Sequence, residues 1–175
     1  EMSASLVGSE MCIRDRAYSE LLGADAPSDV DTFQRLKYSK PDEWSDLKGL
    51  YSYKGRVPEA TKADFQTYKK IKATGIYGTV RVPAAKIDTS ALTLDVAHIN
   101  ERRHGVTQEE AVSYIKNAAF SLKRRHWTGE TFLNYYSEEG ASYVRTSDNV
   151  IRTSFKKDEF DKKTKSAMEV LKNGK

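Results

Sequence analysis

The chain has 175 residues, 38% of them hydrophobic and 31% charged, and its net charge of +4 at pH 7 suits an anionic partner. This length accommodates one domain, or one small domain with an appended arm, and no apolar run approaches the roughly 18 residues of a membrane span, so no membrane partner is expected. The single cysteine, Cys12, excludes an intrachain disulfide and a cysteine-based metal site, and the three histidines lack the carboxylate pattern of a zinc site, so we predict no metal and no cofactor.

Residues 1–16 differ in character from the rest of the chain. The stretch Ser5–Arg16 resembles the translation of a sequencing-adapter read-through of the kind seen at the ends of assembled environmental genes. We therefore exclude residues 1–16 from functional reasoning, as a fusion scar would be excluded. Native residues are expected to begin near Ala17, with further native sequence upstream.

Residues 17–86 show short helical patterns that turn residues interrupt. A helix carrying Phe33 and Leu36 is predicted first, a second begins at Pro41, and a third ends at Gly75. Helices this short and weakly apolar need another surface to pack on. We interpret this region as a helical arm or connector whose aromatic residues form a small core.

The segment 95–111 concentrates two histidines and two arginines. His98 and Arg102 are four residues apart and therefore share one face of a helix. Asp95 precedes His98 by three residues, close enough to orient the imidazole or to raise its pKa. The helix is predicted to end at Gly105, where the cations favour an anion site. The alternative is that they only compensate the helix dipole on a solvated face.

The remaining residues predict an α+β fold. Thr107 opens a capped helix that runs to Ala119 and buries Val112 and Ile115. The apolar period then changes to that of strands, and we predict an antiparallel sheet of four strands, at residues 120–127, 131–137, 141–146 and 150–155. A lysine-rich helix over residues 158–171 follows. N-terminal helices, a four-stranded antiparallel sheet and a C-terminal helix make the predicted architecture.

Two of these strands carry arginines beside hydroxyl groups. Strand alternation places Arg152 and Ser154 on one face and Thr153 on the other, while Tyr143 and Arg145 share a face of the preceding strand. No carboxylate lies in either strand, so the arginines and hydroxyls favour a phosphate-binding site. The alternative is that these arginines are ordinary surface charges.

The available residue types suit metal-independent RNA cleavage. In that reaction a base removes the ribose 2′-OH proton, cations stabilise the phosphorane, and an acid protonates the leaving 5′-oxygen. Histidine, arginine and hydroxyl groups provide these functions. A glycine-rich phosphate loop is absent from the sequence.

Several short motifs support a family resemblance. The run His98–Gly105, the strand Asn134–Ser137 and the run Ile151–Thr153 resemble phage-borne nuclease-like domains of the barnase–EndoU–colicin–RelE fold. Upstream, Tyr18–Gly23 and Phe33–Tyr38 resemble the C-terminal region of phage minor head proteins of the Mu head-morphogenesis type. The resemblance implies a nuclease domain over residues 87–175, following the arm at 17–86.

By position, the resemblance implies a role for each matched residue. His98 or His104 would be the general acid or base, with Arg102 and Arg152 as phosphate ligands and Thr153 or Ser154 as a positioning hydroxyl. The sheet face has no glutamate to serve as the base that barnase-like enzymes use.

The predicted function is a ribonuclease-like toxin or effector domain of a phage structural protein. RNA is the expected partner, phage head or portal components and an immunity protein are further candidates, and the expected location is the virion or the host cytoplasm. The alternative is a catalytically inactive structural or nucleic-acid-binding piece of a minor head protein. The nuclease hypothesis requires the Gly105 end of the histidine-bearing helix to lie against the last two strands, with His98 near Arg152.

Overall fold

A computed structural model describes residues 38, 40–102 and 104–173 of the chain. The chain divides into two compact units, Glu1–Lys62 and Ala63–Lys175. The segment interpreted as adapter-derived, the motif Tyr18–Gly23 and the helix expected around Phe33 lie outside the described residues. The functional boundary near residue 86 stays a prediction.

The first unit contains the helix α1 (Pro41–Arg56), which begins at the predicted proline. Proline is suited to a first helical turn because its missing N–H would have no partner there. Acidic residues occupy the first turn and basic residues the last, which complements the helix dipole. The helix buries three apolar side chains, Leu47, Leu50 and Tyr53.

The second unit combines four helices with six strands. The helices are α2 (Lys62–Ala73), α3 (Val96–Arg102), α4 (Gln108–Lys116) and α5 (Lys162–Lys172). The strands are β1 (Thr79–Arg81), β2 (Thr93–Leu94), β3 (Phe120–Arg125), β4 (Thr131–Tyr136), β5 (Gly140–Arg145) and β6 (Val150–Lys156). No helix among the described residues is long and apolar enough to cross a membrane.

The α+β class is confirmed, but the predicted four-stranded antiparallel sheet is wrong. The sheet has six strands in the order β1-β3-β4-β5-β6-β2, and β2 runs parallel to β6. The meander β3–β6 matches the prediction, whereas β1 and β2 contain only three and two residues. Strands this short show no alternating pattern, so their places in the sheet follow only from their pairing with neighbours in the fold.

Helix α4 covers one face of the sheet. The predicted capping box is present: the Thr107 hydroxyl accepts the Glu110 N–H, and the Glu110 carboxylate accepts the Thr107 N–H. The cap fixes the start of the helix and directs Ile115 towards Val144 and Ile151, with which it shares one buried cluster. Gly105, two residues before this cap, has a positive φ of 60°, which glycine adopts without strain.

The opposite face is covered over only part of its area. Helix α5 and the end of α2 pack over the region around Phe120 and Tyr136, whose rings stack with centroids 5.0 Å apart. Phe155 and Ala119 are partly buried and pack against this cluster. Beyond this region, towards the β3–β4 turn, the face opens into a groove.

A β-bulge in β6 changes the predicted distribution of side chains. Tyr143 pairs with Thr153 and Val144 pairs with Ile151, so Arg152 is the extra residue. Ser154 therefore lies on the α4 side together with Ile151, and not with Arg152 as strict alternation predicted. The bulge leaves Arg152 and Thr153 together on the open face.

The close approach of α4 to the sheet yields a stability prediction. A Cβ at Gly140 would lie 2.5 Å from a Tyr114 ring carbon and 2.6 Å from the Phe155 carbonyl oxygen. We expect Gly140→Ala to lower the free energy of unfolding by about 1–3 kcal/mol, measured by urea denaturation, because the core has no space for the methyl group.

The matched control is Gly55→Ala in α1, where a methyl group would meet nothing within 4 Å among the described residues. Alanine favours helix over glycine by about 1 kcal/mol, so this variant should be neutral or more stable. Equal effects of the two substitutions would contradict the packing argument.

Candidate functional site

A surface groove of about 580 Å³ lies on the open face of the sheet and crosses strands β3 to β6. One wall consists of His98 from α3 with Arg152 and Thr153 from β6. The floor is formed by side chains of β4 and β5: Phe132, Asn134 and Tyr143. The other wall is built from Tyr77, the end of β3 and the β3–β4 turn.

Asp95 connects α3 to the bulged strand. Its backbone N–H donates to the Ile151 carbonyl at 3.0 Å, and its carboxylate accepts the His98 backbone N–H at 3.0 Å. The same carboxylate forms an ion pair with the Arg152 guanidinium. The His98 N–H, followed by Arg152, lowers the pKa of Asp95 below its usual value. Asp95 thus fixes the positions of α3 and the Arg152 guanidinium relative to each other.

This arrangement sets the protonation state of His98. Burial lowers the pKa of His98 below its ordinary 6.5, and the positive charges of Arg152 and Arg102 lower it further. Asp95 and Glu101 act in the opposite direction, but the lowering effects are larger. The imidazole is therefore predominantly neutral at pH 7, the form that can accept a proton.

The groove brings together four of the eight predicted site residues: His98, Arg152, Thr153 and Tyr143. The hydroxyl of Tyr143 lies 2.9 Å from that of Tyr136. Burial raises the pKa of Tyr143, and the charge of Tyr136 and the hydrogen bond with it raise the pKa further. Tyr143 is consequently a protonated hydroxyl that can exchange hydrogen bonds with a ligand.

The other four predicted residues lie outside the groove lining. Arg102 is exposed on α3 and acts on His98 through its charge. His104 pairs with Glu159 at 2.7 Å, and its ring centroid lies 5.8 Å from that of Phe155.

Arg145 and Ser154 have structural partners instead. Arg145 forms ion pairs with Asp148 at 2.7 Å and Glu130 at 3.2 Å, so carboxylates outside the two strands compensate its charge. The carboxylates come from turns and not from the two strands. Ser154 is fully buried and donates to the Ala141 carbonyl at 3.0 Å.

Sequence reasoning missed the second wall of the groove. It includes Arg124, Arg125, His126 and Trp127, which are consecutive in the sequence, together with Tyr77. A basic and aromatic run that ends at the Thr-Gly of a hairpin turn was a detectable signal of a ligand-binding loop. Its sequence pattern alone predicts only part of a strand.

Among the described residues, no group of three or more histidine, cysteine, aspartate or glutamate side chains is arranged to hold a metal ion. Comparisons of the chain with protein-family models, with curated proteins and with solved structures found no match. The geometry of the groove is therefore the basis for assigning a function.

The charges around His98 lead to a testable prediction. Replacing Arg152 with glutamine removes a positive charge and leaves Asp95 without its counter-ion, and both changes favour the imidazolium. We expect Arg152→Gln to raise the pKa of His98 towards or above 6.5, and Asp95→Asn to lower it further. NMR titration of the histidine ring protons measures both shifts.

Arg145→Gln is the matched control, since its guanidinium is paired with Asp148 and Glu130. It should leave the His98 pKa unchanged. An unchanged His98 pKa in Arg152→Gln would contradict the electrostatic coupling described here.

Proposed function

We propose that the second unit is a metal-independent ribonuclease whose reaction centre is His98. The observation that carries the proposal is the convergence of a neutral imidazole, a guanidinium and hydroxyl groups in one accessible groove. This combination supplies a base, a cation for the phosphate and hydrogen-bond donors. The net charge of +4 favours a polyanionic substrate.

In the proposed reaction, neutral His98 accepts the proton of the ribose 2′-OH. The 2′-oxygen attacks the phosphorus, the bond from phosphorus to the 5′-oxygen breaks, and a 2′,3′-cyclic phosphate forms. Arg152 and the hydroxyl of Thr153 stabilise the charge on the phosphorane. His126 on the opposite wall supplies the proton for the leaving 5′-oxygen.

The ion pair between Arg152 and Asp95 fits this role. A guanidinium has five N–H donors in a planar fork, and the ion pair with Asp95 uses Nη1. The pair holds the guanidinium in position before substrate arrives, which reduces the entropy lost on binding. The phosphate then approaches an arginine that is already oriented.

The second candidate function is nucleic-acid binding without cleavage, and the same ion pair favours it. Asp95 already compensates the charge of Arg152, so less of that charge is available to stabilise a phosphorane. Under this alternative the groove binds RNA but forms no cyclic phosphate. A phage minor head protein remains our proposed context for either function.

We expect the purified chain to cleave single-stranded RNA in EDTA and to leave 2′,3′-cyclic phosphate ends. His98→Ala should reduce the rate by about 10²- to 10⁴-fold, the usual contribution of a general acid or base. The measurement is gel analysis of an end-labelled RNA, with product ends identified by mass spectrometry.

Lys165→Gln on the exposed surface of α5 is the control and should cleave at the wild-type rate. A wild-type chain that binds RNA but forms no cyclic phosphate from pH 5 to 9 would support the binding alternative and eliminate the nuclease proposal.

The pH dependence of cleavage follows from the lowered pKa of His98. Cleavage requires the neutral base, so on the acidic side of the pH profile kcat/KM should rise with pH through the His98 pKa. The midpoint of this acidic limb should lie below 6.5 and agree with the NMR value. A midpoint clearly above 6.5 would indicate a different base.

A further inference from the structure

Two large aromatic side chains are exposed at the far wall of the groove. Tyr77 is 70% exposed and Trp127 is 90% exposed, and both line the groove. Aromatic rings at this level of exposure leave apolar surface in contact with water, which a ligand would remove. Their position beside arginines limits the kind of ligand that fits.

Tyr77 is held in place by β3. The Arg124 Nε donates to the Tyr77 carbonyl oxygen at 2.6 Å, and the guanidinium carbon lies 5.8 Å from the centroid of the Tyr77 ring. Gly78 permits this approach: it has a φ of 123°, and a Cβ there would lie 2.9 Å from Arg124 Cγ. The exposed ring is therefore anchored through its backbone and its face.

Trp127 lies on a closed hairpin turn. The His126 N–H donates to the Glu130 carbonyl at 2.7 Å, and the Gly129 N–H donates to the His126 carbonyl at 2.9 Å. The His126 ring lies with its centroid 5.3 Å from that of Trp127 and 6.2 Å from that of Phe132. The backbone hydrogen bonds fix the turn that carries the indole at the mouth of the groove.

The floor between these rings and the opposite wall contains an unsatisfied polar group. Asn134 is only 2% exposed, and its Oδ1 has no hydrogen-bond partner among the described residues. A buried acceptor without a donor is unfavourable because nothing compensates for the loss of its hydrogen bonds to water. Because Asn134 lines the groove, a bound molecule with an N–H or O–H group can supply the missing donor.

The charges of the groove favour an anionic ligand. Arg124, Arg125 and Arg152 line it, while Glu130 accepts a hydrogen bond from Arg145 at 3.2 Å. A ligand that offers flat rings, a negatively charged backbone and hydrogen-bond donors has the chemistry of an unpaired nucleotide strand. In a duplex the faces of the bases are stacked on one another and cannot reach Tyr77 or Trp127.

We propose that Tyr77 and Trp127 form a base-stacking subsite that selects single-stranded over duplex RNA, with Asn134 accepting a hydrogen bond from a bound nucleotide. The subsite rests on the proposed function for the identity of its ligand, but it does not require cleavage. The subsite distinguishes unpaired strands from duplexes and does not recognise a particular base sequence. Stacking tolerates all four bases because each has a flat face.

The test uses an RNA of about 12 nucleotides, within the range of known single-strand sites, with 2′-O-methyl groups that prevent cleavage. The chain has two tryptophans, so Trp44→Phe leaves Trp127 as the only indole. Titration of this variant with the RNA should quench its fluorescence. The same strand annealed to its complement should bind at least tenfold more weakly at equal salt concentration.

Ring-deleting variants test the stacking directly. Trp127→Ala and Tyr77→Ala should each weaken binding by about tenfold or more, as loss of one stacked base does. Trp127→Phe, which retains a ring, should recover much of the affinity. Lys165→Gln changes an exposed charge on α5 and should bind like the wild type.

Stronger binding of the duplex, or unchanged affinity in both alanine variants, would overturn the subsite. Equal binding of single-stranded DNA supports stacking but assigns RNA selectivity to the reaction centre. The uncleavable probe separates this proposal from the nuclease proposal. Stacking-dependent binding without cleavage of ordinary RNA rejects only the nuclease, and His98-dependent cleavage without loss in Trp127→Ala rejects only the subsite.

Discussion

At the bulge in β6, one extra residue separates Ile151, which packs under α4, from Thr153, which lies on the open face. That residue is Arg152, and its ion pair with Asp95 secures the start of α3 against the strand. Without the bulge, strict alternation would place Arg152 and Thr153 on opposite faces. The position of His98 beside Arg152 depends on the same connection, because Asp95 accepts the His98 N–H.

The groove exists because the two faces of the sheet are covered to different extents. On one face, α4 follows a capping box and buries a continuous apolar cluster. On the other, α5 and α2 cover the aromatic region around Phe120 and Tyr136, and the buried cluster ends there. The uncovered region combines charged side chains, which can remain in water, with the exposed rings of Tyr77 and Trp127. Because helices cover only one end of this face, the uncovered strands at the other end provide a rigid floor for a ligand.

The two walls of the groove are suited to different tasks. The wall formed by α3 and β6 combines the lowered pKa of His98 with an arginine that is already oriented, which suits proton transfer and phosphate binding. The wall formed by β3 and its turn combines exposed rings with arginines, which suits the bases and backbone of a strand. Both walls are fixed by backbone hydrogen bonds, so the spacing between them is a property of the scaffold.

Local patterns were sufficient to predict the α+β class, the start of α1, the capping box at Thr107 and the four-strand meander. Each depends on neighbours in the sequence: apolar period, caps and turn residues. The sequence also identified His98 and Arg152 as candidates, since their residue types are visible without a fold. Only the tertiary structure decided that Arg145 is paired with turn carboxylates, that Ser154 is buried, and that Tyr77 faces the same groove as His98. Strand pairing and a bulge decide these outcomes, and both depend on contacts between residues far apart in the chain.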